Sequence, residues 1–195
     1  MAGTINRVEG GSVTAARGFV AGATYAGLKT FAEDKLDLCL LLSEAPCAAA
    51  GVFTTSTIRS ASVTVTQEHL SLGPARALVV NAGIANTCVG DQGYKDAKDM
   101  AAQAANLLGL RQEEVLVCST GIIGVELPMA LIRSGLGKIE LSADGGHRMA
   151  RAIMTTDTRP KEVAVSFELD GRQANMGGVT KGSGMIHPNM ATMLG

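Results

Sequence analysis

The sequence contains no tryptophan, and only 3% of its 195 residues are aromatic. Platforms that stack nucleic-acid bases are built from aromatic side chains, so that class of partner finds little to bind. Neither sign of charge is in excess, with 17 Lys and Arg against 18 Asp and Glu. No run of one sign stands out, which removes the electrostatic case for nucleic acid or a membrane surface. No apolar stretch approaches the ~20 residues a membrane-spanning helix needs. The N-terminal stretch MAGTINRVEGGSVTAARG lacks the basic-then-apolar order of a secretory signal. The expectation is a cytoplasmic protein with no membrane or nucleic-acid partner.

Cysteine is scarce and unpatterned. Cys39, Cys47, Cys88 and Cys118 show no CxxC spacing and no His at zinc-like intervals. Free thiols in a reducing compartment are expected, and no metal. There is no GxGxxG or phosphate-loop match, so a nucleotide cofactor has no support.

What is present is glycine, 24 residues of it, set among small aliphatics. That suits closely packed layers and close backbone approach. The run 36–55 holds two strand-capable apolar segments. ASVTVTQEHL (61–70) alternates polar and apolar as a half-buried strand does. ARALVVNAG (75–83) and EEVLVCSTGIIG (113–124) read as strands buried on both faces. Helices are expected over 93–110, with Gly109 as C-cap, over 127–139 and over 145–157. The stretch 161–185 reads as a hairpin turning at Asp170-Gly171. One α/β domain with a mixed sheet results, without repeats or linkers.

Three stretches could carry chemistry. CSTGIIG (118–124) ends a buried strand with a hydroxyl and a glycine, where an oxyanion could be held. The same residues suit an ordinary strand-to-helix turn with Thr120 as cap. MTTDTRPK (154–161) groups three Thr and an Asp after a helix, fit for a polar substrate or simply for finishing the helix. KGSGMIHPNMATMLG (181–195) offers Lys181 among glycines, which reads as a partner for a carboxylate or as a solvated turn. In it, His187 reads as a loop residue. Thr192 would become a nucleophile if the peptide bond before it were cut, because the freed α-amine lies beside its own hydroxyl. That amine titrates near pH 8, so part of it is neutral at neutral pH.

STGIIG, AIMTTDTRPKEV and KGSGMIHPNMATML occur in that order. Together they resemble the N-terminal half of the bifunctional ornithine acetyltransferase/glutamate N-acetyltransferase family of arginine biosynthesis. The likeness also takes in GFVAGATYAGLK and the loop VVNAGIANTCVGDQG, and so runs over nearly the whole chain. The resemblance implies a precursor that cuts itself between Ala191 and Thr192. Residues 1–191 are then the α chain, and 192–195 begin a β chain from the same precursor. It implies acetyl transfer from N-acetylornithine to glutamate through an acetyl-Thr192 intermediate, with acetyl-CoA as a further donor in bifunctional members and no other cofactor. Thr120 and Gly121 are implied as the oxyanion hole, and Thr155 or Thr156, with Lys181, as substrate contacts. The NAGIAN loop is expected to line the site. The implied fold is a layered α-β-β-α-like sandwich with mixed sheets, similar to N-terminal-nucleophile hydrolases and completed by the β chain in an α2β2 or larger assembly. The alternative is another self-cleaving enzyme of this type, an aminopeptidase or amidohydrolase, that passes the acyl group to water.

Overall fold

A computed structural model describes residues 4–29, 35–182 and 193–195. Seven strands and four α-helices are described: β1 Asn6–Arg7, β2 Phe19–Thr24, β3 Leu38–Ser43, α1 Ala61–Leu72, β4 Ala77–Ile84, α2 Gly90–Leu108, β5 Val115–Ile122, α3 Met129–Leu136, α4 Gly146–Ala152, β6 Lys161–Leu169 and β7 Arg172–Thr180. They form a four-stranded sheet in the order β2-β3-β4-β5 and a three-stranded sheet in the order β1-β6-β7. The larger sheet is mixed. β2, β3 and β4 pair antiparallel, whereas β4 and β5 run parallel. A parallel pair needs a crossover, and α2 supplies it.

The continuous apolar runs of β3, β4 and β5 follow from burial on both faces. Leu38, Leu40, Val79, Val115 and Val117 point into a core shared with α1, α2 and α3. Cys39, Val80, Ala21 and Ala23 point the other way, against Met149 and Ala152 of α4 and, at its margin, Val179 of β7. The mixed α/β expectation holds, as layers of helices and sheets.

α2 ends as its sequence predicts. Gly109 adopts the left-handed conformation (φ 65°), and its N–H caps the Ala105 carbonyl. The hairpin also holds, with Asp170 and Gly171 both at positive φ, as a tight two-residue turn requires. The segment 61–70 differs: the alternation predicts a strand and the chain forms α1. Ser60 caps this helix by accepting the N–H of Ser62. Its buried face is Ser62, Val65, Thr66 and His69, a helical spacing written largely in polar residues. β5 is an edge strand, and α1 covers that edge with side-chain hydrogen bonds. Thr66 Oγ1 donates to the Val117 carbonyl at 2.7 Å and accepts the Val117 N–H at 2.9 Å. His69 Nδ1 donates to the Val115 carbonyl at 2.7 Å, and the Ser62 and Ser119 hydroxyls meet at 2.6 Å. The second apolar segment of 36–55 forms no strand, and β3 alone remains of the pair.

Candidate functional site

β5 delivers Thr120 and Gly121 to the point where its pairing with β4 becomes irregular. Ile84 faces both Thr120 and Ile122 there. Such irregularities re-aim side chains. Gly121 has φ 136°, and a Cβ on it would fall 2.1 Å from the Gly83 carbonyl carbon. Only glycine fits, on conformational and on steric grounds. Gly83 belongs to the NAGIAN stretch, which thus touches Gly121 directly.

Lys181 follows directly on β7. Sequence reading leaves it either solvated or functional, and the structure buries it to 4% exposure. Its ammonium donates to Thr120 Oγ1 at 3.0 Å and to Thr155 Oγ1 at 2.8 Å. An ammonium has donors only. Both threonine oxygens therefore spend a lone pair on it, and each O–H proton is free to point elsewhere. Thr120 is buried and Thr155 is exposed, so the cluster has an inner wall and an open side. Among the described residues, no hydrogen bond joins the Thr156 hydroxyl to this cluster, which separates the two threonines that the sequence leaves equivalent.

Asp157 sits beneath the cluster. Its Oδ1 accepts the Gly182 N–H at 3.1 Å and the Lys161 ammonium, and its Oδ2 accepts the Thr155 N–H at 3.3 Å. Burial pushes this carboxyl up, but Lys161 and the two N–H groups outweigh it and hold the group below its ordinary range. Lys181 is shifted downward, chiefly by burial, with Asp157 opposing and Lys161 reinforcing the shift. A second, half-buried lysine lies nearby. Lys29 Nζ donates to the carbonyls of Leu36 and Ala152, each at 2.7 Å. Burial pulls it down to about 8, and Lys181 adds repulsion. Its backbone is fixed by Asp37, whose buried carboxylate accepts the N–H groups of Ala26, Gly27, Leu28 and Lys29. Sequence reasoning gives Asp157, Lys161 and Lys29 no role. Asp157 lies within the quoted Thr/Asp stretch with Thr155 and Lys161, but its third partner, Gly182, comes from beyond β7.

Leu194 is two positions beyond Thr192 and pairs with Lys181. The Lys181 N–H donates to the Leu194 carbonyl at 2.9 Å, the Leu194 N–H returns the bond at 3.3 Å, and Thr180 Oγ1 donates to the same carbonyl at 2.8 Å. Ala191, Thr192 and His187 lie outside the described residues. A groove of about 590 Å³ with Lys161 and Thr180 in its wall adjoins the cluster but takes in none of Thr120, Thr155 and Lys181.

All four cysteines are free. Burial pushes the Cys118 thiol up to about 11, and Cys39 is raised further by the same cause. Both are poor nucleophiles. Among the described residues no group of three His, Cys, Asp or Glu could hold a metal, and no helix is long and apolar enough to cross a membrane. As a whole, the cluster can present two hydroxyl donors and a positive charge to an oxyanion or a carboxylate.

The ArgJ family model matches residues 20–195. A relative from Dehalococcoides mccartyi, named arginine biosynthesis bifunctional protein ArgJ, is 47% identical over all 195 residues, which make up 48% of its own length. One of the same name from Symbiobacterium thermophilum is 49% identical over 95% of the chain and 46% of its length. The chain thus spans about half the length of the curated relatives it matches. The crystal structure of the arginine biosynthesis bifunctional protein ArgJ of Bacillus halodurans superposes with a TM-score of 0.90 at 38% identity, covering 98% of this chain and 99% of that one. The ornithine acetyltransferase of Mycobacterium tuberculosis, solved with ornithine, gives 0.85 at 37% identity, covering 95% and 98%.

Proposed function

The chain belongs to the ArgJ family, and on that premise we propose that it is the α-chain half of an acetyltransferase of arginine biosynthesis. The reaction moves acetyl from N-acetylornithine to glutamate. Residues 1–191 form the α chain and 192–195 open the β chain, after self-cleavage between Ala191 and Thr192. The two chains work together in an α2β2 or larger assembly in the cytoplasm. The family membership supports this reading, as does the name of the ornithine-bound structural relative.

The observation that carries the site is the single buried Lys181 ammonium donating to Thr120 and Thr155 at once. In the proposed reaction the Thr192 Oγ attacks the acetyl carbonyl of N-acetylornithine, and the α-amine of Thr192 takes the hydroxyl proton. Negative charge develops on the carbonyl oxygen. The Thr120 hydroxyl, its lone pair already committed to Lys181, donates to that oxygen, and the Gly121 N–H is the second donor. The C–N bond then breaks, the proton passes to the leaving amine, and ornithine departs. Acetyl-Thr192 remains as an ester. The amine of glutamate attacks the ester by the reverse sequence, N-acetylglutamate leaves, and Thr192 regains its proton. Lys181 and Thr155 bind the polar end of the substrate. No cofactor takes part, and acetyl-CoA enters only as a second donor.

The test is product analysis with the full-length protein, N-acetylornithine and glutamate. N-acetylglutamate and ornithine should accumulate in equal amounts. Acetate in place of N-acetylglutamate would make the enzyme an amidohydrolase and overturn the assignment.

A further inference from the structure

Thr155 and Lys181 come from segments 26 positions apart. Thr155 follows α4, and Lys181 follows β7. A third side chain does the joining. The Asp157 carboxylate takes the Thr155 N–H on one oxygen and the Gly182 N–H on the other. It therefore grips the backbone of one functional residue and the backbone just after the other. The same oxygen that binds Gly182 also binds the Lys161 ammonium, and Lys161 stands opposite Thr180 in the β6–β7 register. One buried carboxylate thus ties the loop after α4, the start of β6 and the segment just after β7 together.

Its charge is also placed to act. Asp157 holds the backbone of Thr155, whose hydroxyl meets the Lys181 ammonium, and the charged groups that act on this ammonium, among the described residues, are Asp157 from the loop after α4, Lys161 from β6 and Lys29 from the loop after β2. β5 contributes the neutral Thr120 and the chain end the neutral Leu194. Two of the three charged neighbours are cations, and burial itself disfavours the ammonium. Asp157 is the one that favours it.

We propose that Asp157 is a positioning residue of the acetyl-transfer site, holding the Thr155–Lys181 pair together and supplying the charge that keeps Lys181 an ammonium. The role assigned to Lys181 rests on the function proposed above. The charge coupling does not.

The experiment compares three variants of the full-length protein. Asp157→Asn keeps the shape and removes the charge. Asp157→Glu keeps the charge and displaces it. Lys161→Met removes a competing cation. Two readouts are taken for each: the pH profile of kcat/KM, and the titration of Lys181 by NMR of isotope-labelled lysine, assigned with Lys181→Met. Asp157→Asn should lower kcat/KM at least about tenfold and move the alkaline limb down by about one to two pH units, the usual size of a close charge effect. Asp157→Glu should lower kcat/KM and leave the limb in place. Lys161→Met should move the limb upward, so the proposal stays testable if Asp157→Asn fails to fold. An alkaline limb and a Lys181 titration that stay put in Asp157→Asn, or that fail to rise in Lys161→Met, overturn the proposal. If the wild-type protein transfers no acetyl group, the function above fails while the NMR titration still decides the coupling.

Discussion

The Lys181 ammonium lies 3.0 Å from the Thr120 hydroxyl oxygen, although 61 positions separate the two in sequence. The contact rules out the ammonium as an acceptor for the hydroxyl proton. A buried ammonium cannot accept, so the Thr120 proton must point to some other acceptor, and a reacting carbonyl oxygen is the one the proposed reaction provides.

Lys181→Met keeps the length of the side chain and removes its donors. Thr120 and Thr155 then lose the group that orients them. In the full-length protein kcat/KM should fall about 10²–10³-fold, the usual loss for a donor aimed at developing charge. Circular dichroism should show the fold intact. A fall of less than about tenfold would contradict the role.

Gly121→Ala meets two obstacles. The residue holds φ 136°, and the added Cβ would sit 2.1 Å from the backbone of Gly83. Strain of this kind costs about 1–3 kcal/mol before the clash is counted. The urea midpoint should drop and acetyl transfer should be lost. A variant with wild-type midpoint and rate would show that the strand ends relax freely.

Thr66→Val is close to isosteric and lies away from the site. It leaves the N–H and the carbonyl of Val117 without their side-chain partner on a covered sheet edge. Destabilisation of about 1–3 kcal/mol is expected in equilibrium urea unfolding, with the enzyme's pH profile unchanged. A neutral result would mean that α1 is held by packing alone.

Lys29 predicts the pH dependence of stability. Its proton leaves near pH 8 in the folded chain, because burial disfavours the ammonium, against an ordinary value of 10.5 when unfolded. Below pH 8 both states hold the proton, and the cost of burying the charge is present in full. Between the two values the unfolded state binds more protons, so this group makes stability rise with pH across that window. Lys29→Met should flatten the rise in urea midpoints measured from pH 8 upward. An unchanged slope would contradict the assignment.

Much of the fold is legible where local pattern and tertiary role agree. The apolar runs of β4 and β5 announce strands buried on both sides. Gly109 marks the end of α2, and Asp170-Gly171 marks the hairpin. α1 is illegible because its buried face is polar. Ser62, Thr66 and His69 are buried to satisfy the edge of β5, and no local pattern says that an edge is there. The site is partly legible. Residue types alone leave Thr120 and Gly121 between a turn and an oxyanion hole, and only the family resemblance implies the second. Lys181 among glycines looks solvated until Thr120 and Thr155 close around it. Asp157 is hidden for a similar reason, since Gly182, the partner beside Lys181, lies 25 positions away, beyond β7.

The most direct test of the account is the intact mass of every chain in the purified full-length protein, before and after N-acetylornithine is added without glutamate. Two chains are expected, one ending at Ala191 and one beginning at Thr192, the second gaining the mass of one acetyl group and losing it when glutamate follows. A single uncut chain that still transfers acetyl, or an acetyl group carried elsewhere than on Thr192, would contradict it.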